Sequence, residues 1–98
     1  MIVLLVHHLG RIVATPGALV ALAAANTSPS TLLSRHAGGD WGDLDAHDRA
    51  ANDAALRDGS RLLSAYTVAE GVTVWIITEA TDEDGHRAAT TLLLPEEY

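Results

Sequence analysis

The spacing of apolar positions changes near Arg61. Before it, apolar residues recur at helical intervals in three short runs, each opened by a capping signal. Thr15-Pro16-Gly17 opens the first, ALVALAAAN. Threonine caps, and proline suits the first helical position because its missing N–H has no partner there in any case. Asn26 can end this run in a left-handed conformation. Ser28-Pro29 repeats the start signal for STLLSRHA, which should carry Leu32, Leu33 and His36 on its buried side, with Gly38-Gly39 as the stop. Asp45 caps a third helix over Ala46 to Arg57. Its predicted inward stripe is Leu44, His47, Ala51, Ala54, Ala55 and Leu56, with Asp58-Gly59 at its end.

From Arg61 the period becomes two. Leu62, Ser64, Tyr66 and Val68 share one strand face, and Ala69-Glu70-Gly71 reads as a tight hairpin. Val72, Val74, Ile76 and Thr78 oppose Thr73, Trp75 and Ile77. β-Branched residues on both faces predict a central strand with Trp75 in the core. A third strand follows an acidic turn, Thr81 to Gly85, and runs from about Arg87 to Leu94. Pro95 ends it and leaves Glu96, Glu97 and Tyr98 as a tail. GRIVA, Gly10 to Ala14, has the form of a short strand ahead of the first helix, and residues 1–9 read as a strand or a loosely ordered lead-in. The expected fold is therefore α+β: one domain of three short helices followed by a three-stranded antiparallel meander, the helices packed on one face.

Composition narrows the class. The chain has 98 residues, enough for one modest core. Seventeen alanines and no phenylalanine make that core one of small side chains plus leucine, isoleucine, valine and two tryptophans. The absence of cysteine excludes disulfides and cysteine–zinc sites and fits a cytoplasmic location. The apolar run in MIVLLVHHLG is too short to span a bilayer and lacks a charged lead and a small-residue cleavage site, so neither membrane nor export is expected. A formal net charge of −7 argues against direct nucleic-acid binding and favours a basic protein partner.

The densest chemistry lies in GGDWGDLDAHDRAANDAALRDG, Gly38 to Gly59. It holds six aspartates and Trp41. Asp40, Trp41, Asp43 and Asp45 form the candidate binding site: an aromatic anchor ringed by short, stiff carboxylates that suit an arginine-rich groove. The structural alternative is a lid in which Trp41 packs over the alanine-rich core while the aspartates face solvent. His36 and His47, with Asp40 and Asp43, are the candidate metal ligands, but their spacing matches no metal motif. Asp82, Asp84 and Gly85 echo a calcium loop that lacks its remaining ligands. No nucleophile elbow, Walker loop or GxGxxG is present. No cofactor and no catalytic residue is expected.

Several strings together, GRIVATPGAL, the GDWGDLD to GSRLLSAY block, WIITEA and TTLLLPEEY, resemble a family of small uncharacterised bacterial proteins carried on plasmids and other mobile elements. Some carry the labels "plasmid-related protein" or type I restriction subunit. The chain departs from the family in VLLVHH and in TDEDGHRAA. A methyltransferase subunit needs a cofactor-binding domain far larger than this chain. The resemblance therefore implies a mobile-element setting and transfers no catalytic residue. The reading that follows is a small acidic, non-enzymatic accessory protein that binds a basic, nucleic-acid-handling protein as an inhibitor or regulator. A small metal-dependent hydrolase or nuclease-like enzyme and a structural homodimer are the alternatives.

Overall fold

The computed structural model describes residues 7–98. In chain order they form β1 (Arg11–Ala14), α1 (Pro16–Ala24), α2 (Pro29–Ala37), α3 (Ala46–Asp58), β2 (Leu62–Ala69), β3 (Val72–Thr78), β4 (Ala89–Leu93) and a short 3₁₀ turn (Pro95–Glu97). All three helices begin where the capping signals lie: Thr15, Ser28 and Asp45 each accept a main-chain N–H of the first turn. Asn26 adopts a left-handed conformation just beyond α1, and Gly59 does so at the end of α3. Among the described residues, no helix is long and apolar enough to cross a membrane.

The fold is α+β, but the sheet has four strands and is mixed, in the order β1-β4-β3-β2. β2, β3 and β4 form the expected antiparallel meander. β1 corrects the three-stranded expectation by pairing in parallel with β4, Arg11 beside Ala89 and Ala14 beside Leu92. The cause is topological. All three helices and two strands intervene between these partners, and the crossover returns the chain to the outer side of β4.

Ala18 and Leu22 of α1 and Leu32 of α2 pack on Tyr66, Val74, Ile76 and Leu92, one face of the sheet. A second cluster joins Trp41, Ala55 and Leu62 beneath α3. The inward stripe of α3 differs from the expected one. Asn52 and Ala55 are buried, whereas His47 and Ala51 are exposed, because the face turned to β2 is chosen by a hydrogen-bonding side chain rather than an apolar one. Trp75 points to the opposite sheet face. It is only half-buried and meets Tyr98 edge-on at 5.7 Å. The segment after Pro95 is likewise no free tail. The Glu97 carboxylate accepts the Thr15 hydroxyl at 2.6 Å and the Leu94 N–H at 2.7 Å, tying the carboxyl end to the start of α1.

Candidate functional site

The segment from Asp40 to Asp45 runs along the outer edge of β2. The Arg35 guanidinium, in the last turn of α2, donates to Asp40 at 2.7 Å and lies 4.5 Å over the Tyr66 ring. That bond, foremost, holds the Asp40 carboxyl below the usual carboxylate range. The Tyr66 hydroxyl donates to the Asp40 carbonyl at 2.6 Å. Ala65 donates to the Trp41 carbonyl at 3.2 Å, and Asp43 donates back to the Ala65 carbonyl at 2.7 Å. Between them Gly42 has φ 76°, and a Cβ there would overlap the Ala65 carbonyl oxygen. The Asp43 carboxylate accepts the Thr67 N–H at 2.8 Å, which lowers its pKa. Further along the same edge, Asn52 donates to the Leu63 carbonyl at 2.6 Å and accepts the Leu63 N–H at 3.1 Å. Every edge-facing group of Leu63 and Ala65 and the N–H of Thr67 is thereby paired by the strap or by α3.

Trp41 belongs to this strap as a lid. It is 5 % exposed, its indole N–H donates to Asp53 at 3.1 Å, and its ring meets His36 edge-on at 5.7 Å. Asp45 is the N-cap of α3 and accepts the Asp48 N–H at 2.8 Å. The segment thus brings Asp40, Trp41, Asp43 and Asp45 together along one edge, with each side chain engaged inside the fold.

His36 and His47 are not brought together. His47 is exposed in the first turn of α3, beside Asp48 at 3.4 Å. His36 is fully buried, with Nδ1 2.5 Å from Ser64 Oγ and Nε2 2.8 Å from Thr78 Oγ1. Its tautomer follows from counting protons. The Thr90 hydroxyl donates to the Leu9 carbonyl at 2.6 Å, so its single proton is committed. Thr78, 2.7 Å from Thr90, must then donate to it and must accept from His36 Nε2–H. Nδ1 is left to accept the Ser64 hydroxyl. Protonation of Nδ1 would force the Ser64 hydroxyl to turn its proton elsewhere and would leave a charge in a buried site. Burial first, then the nearby His7 and Arg87, pushes the His36 pKa down to about 3. A neutral imidazole whose nitrogens are both engaged is a core peg rather than a metal ligand or a base.

Among the described residues, two groups of potential ligands approach one another: Asp45, His47 and Asp48, and Asp82, Asp84 and His86, all exposed. Both have local explanations. Asp45 caps α3, and Asp82 accepts the N–H groups of Asp84 and His86, closing its turn.

Sequence reasoning missed Asn52 and Arg87. Arg87 is buried and touches no carboxylate among the described residues. Its guanidinium donates to the carbonyls of Ser60 at 2.8 Å, Glu79 at 3.0 Å and Ala55 at 3.1 Å, closing the carboxyl end of α3. It lines a cleft of about 350 Å³ with His7, Arg57, Asp58 and Thr81. No periodicity marks either residue, because each partners main-chain atoms distant in sequence.

Charge is distributed unevenly. All thirteen acidic residues lie at or after Asp40. α3 exposes Asp48, Asp53 and Asp58 at successive points around its axis, with Arg49 and Arg57 exposed between them. The Thr81 N–H donates to the Gly59 carbonyl at 2.8 Å, which sets the exposed Asp82-Glu83-Asp84 turn beside the end of that helix. No known family model, curated protein or solved structure matches this chain.

Proposed function

We propose that this chain is a non-enzymatic interaction protein. It presents the exposed carboxylates of α3, together with the 82–84 turn, to a basic protein partner. The observation that carries this reading is the excess of unpaired carboxylates. α3 and the adjoining turn expose Asp48, Asp53, Asp58, Asp82, Glu83 and Asp84 against Arg49 and Arg57, and the described residues hold only two ion pairs, Arg35–Asp40 and His47–Asp48. Carboxylates left without basic partners favour approach by an arginine-rich surface, and the attraction is screened by salt. Asp40, Asp43 and Asp45 flank this group, and Trp41 supports it from beneath. The setting proposed is a plasmid or other mobile element, with a nucleic-acid-handling protein as the partner and regulation or inhibition as the outcome.

The test uses carboxylates that form no hydrogen bond to a main-chain group. A combined Asp48→Asn, Glu83→Gln and Asp84→Asn variant should fold as the parent does. Affinity capture from a bacterial lysate should recover a basic protein with the parent at low salt, and lose it both at high salt and with the variant. Identical capture by parent and variant would sink the proposal.

A further inference from the structure

The two outer strands of the sheet are treated differently. β2 is strapped along its length, whereas nothing among the described residues pairs with the outer side of β1. In the parallel ladder, Arg11 donates to the Ala88 carbonyl and Thr15 to the Leu92 carbonyl, each at 3.0 Å. Alternation then turns the N–H and C=O groups of Ile12 and Ala14 away from β4, to a side where no described residue pairs with them. An open edge of this kind is a template for another strand. RIVA is short and carries the exposed Arg11 at one end, but it has no proline, no bulge and no inward charge to keep a second strand away.

The surface beside that edge is apolar. Ile12 is 45 % and Val13 37 % exposed, and Leu19 and Val20 of α1 are 47 % and 69 % exposed. These are four of the five exposed large apolar residues among the described residues, and they lie within nine positions of one another. Ile12 is paired with the buried Thr90 and so points to the helix side of the sheet, as Ala14 does beside Leu92. Ala21 faces the β2–β3 hairpin, where it lines a cleft with Gly71, Val72 and Thr73. Leu19 lies about 200° round the helix from Ala21, which places it on the flank toward β1. Ile12 and Leu19 therefore border one apolar strip on the helix side of the edge, with Val13 on the opposite sheet face of the same strand.

We infer that this strip is the interface of a two-fold homodimer in which β1 pairs antiparallel with β1 of a second copy, joining the two sheets into one. Charge selects the second copy as occupant. β1 and α1 themselves carry no acidic residue, and the nearest carboxylate, Glu97 held on Thr15, stands at the end of β1 where Arg11 of the other copy would lie, so two chains of net charge −7 can meet here without carboxylates opposed. The register that pairs the outward groups of both residues within the strands sets Ile12 against Ala14 of the other copy, and Val13 then meets its own counterpart across the axis in a non-hydrogen-bonded pair. In this register each Arg11 stands opposite Thr15 and the two arginines lie at opposite ends, so no like charges are opposed. Both strapped β2 edges and both acidic α3 surfaces stay at the far ends of the joined sheet, free for other contacts.

The absence of cysteine makes the register directly testable. Sedimentation equilibrium of the parent at sub-millimolar concentration should give twice the chain mass of 10.3 kDa. Val13→Lys, which sets two ammonium groups against each other at the axis, should halve that mass. Val13→Cys should cross-link to itself under mild oxidation, because a non-hydrogen-bonded pair brings the Cβ atoms within disulfide range. Val20→Cys, more accessible on α1 but off the axis, should not. A parent of single-chain mass overturns the inference. So does a dimer unchanged in Val13→Lys, or equal cross-linking at both cysteines. If Val13→Lys fails to fold, the two cysteine variants still decide.

Discussion

The β1 and β2 edges belong to one sheet and face opposite fates. β2 lends its outer hydrogen bonds to Trp41, Asp43 and Asn52, so the polar, aspartate-dense stretch that looks most like a ligand site works first as an internal strap. β1 has a plain sequence, RIVA, and no described residue pairs with its outer groups. Density of polar chemistry along a chain therefore reflects internal closure as well as any outward contact. A backbone edge consumes polar side chains when it must be closed and asks for none when it is left open.

The sharpest way to break the contrast is at Gly42. Gly42→Ala forces a Cβ into the Ala65 carbonyl at a left-handed φ, so the strap must lift from β2. A loss of about 3 kcal/mol or more is expected, read as a lower urea midpoint, with new self-association through the uncovered edge. Next comes acid. The folded His36 pKa of about 3 lies below its unfolded value of 6.5, so the unfolded chain binds the extra proton. Stability is fully present above pH 6.5 and is lost as pH falls toward 3, by up to about 1.4 kcal/mol per pH unit. Urea midpoints between pH 6.5 and 4.5 should trace that slope, and His36→Gln should flatten most of it. What remains should come from His7, whose pKa burial also lowers.

Asn52→Ala removes both bonds to Leu63 and should cost about 2 kcal/mol. Asp43→Ala frees only the Thr67 N–H, which water can reach, and should cost below about 1 kcal/mol. Val13→Lys on β1 should change single-chain stability least, within about 0.5 kcal/mol when measured at high dilution, while changing assembly most. If Val13→Lys destabilised the isolated chain more than Asn52→Ala, the contrast between a structural edge and an interface edge would collapse.

Much of this architecture was legible in the sequence because its causes are local. Thr15-Pro16, Ser28-Pro29 and Asp45 announce helix starts through groups one turn away, and Asp58-Gly59 announces a stop. The β2–β3 hairpin follows from two alternating runs and a short turn. β1 was visible as a strand, yet its partner was not, because parallel pairing leaves no turn between partners to mark it. Trp41 was legible only as a choice between lid and anchor. Asn52 looked like an ordinary polar helix position, and Arg87 an ordinary surface cation, since nothing nearby in the chain reveals that Leu63 or Ala55 will want their side chains. The residues of the candidate site do lie together along one edge, as one segment, while their carboxylates have work inside the fold.

The tight approach at Gly42 also has an evolutionary consequence. Asp45 can be exchanged for serine, threonine or asparagine without losing its cap, and Asp43 for asparagine without losing its acceptor. Gly42 has no substitute, because the Ala65 carbonyl occupies the space any side chain would need. Distant kin of this chain, however far their composition has drifted, should keep a glycine there, followed at fixed distances by an acceptor and by an amide at the position of Asn52. That three-point spacing, Gly42, Asp43 and Asn52, would identify them where overall identity has faded.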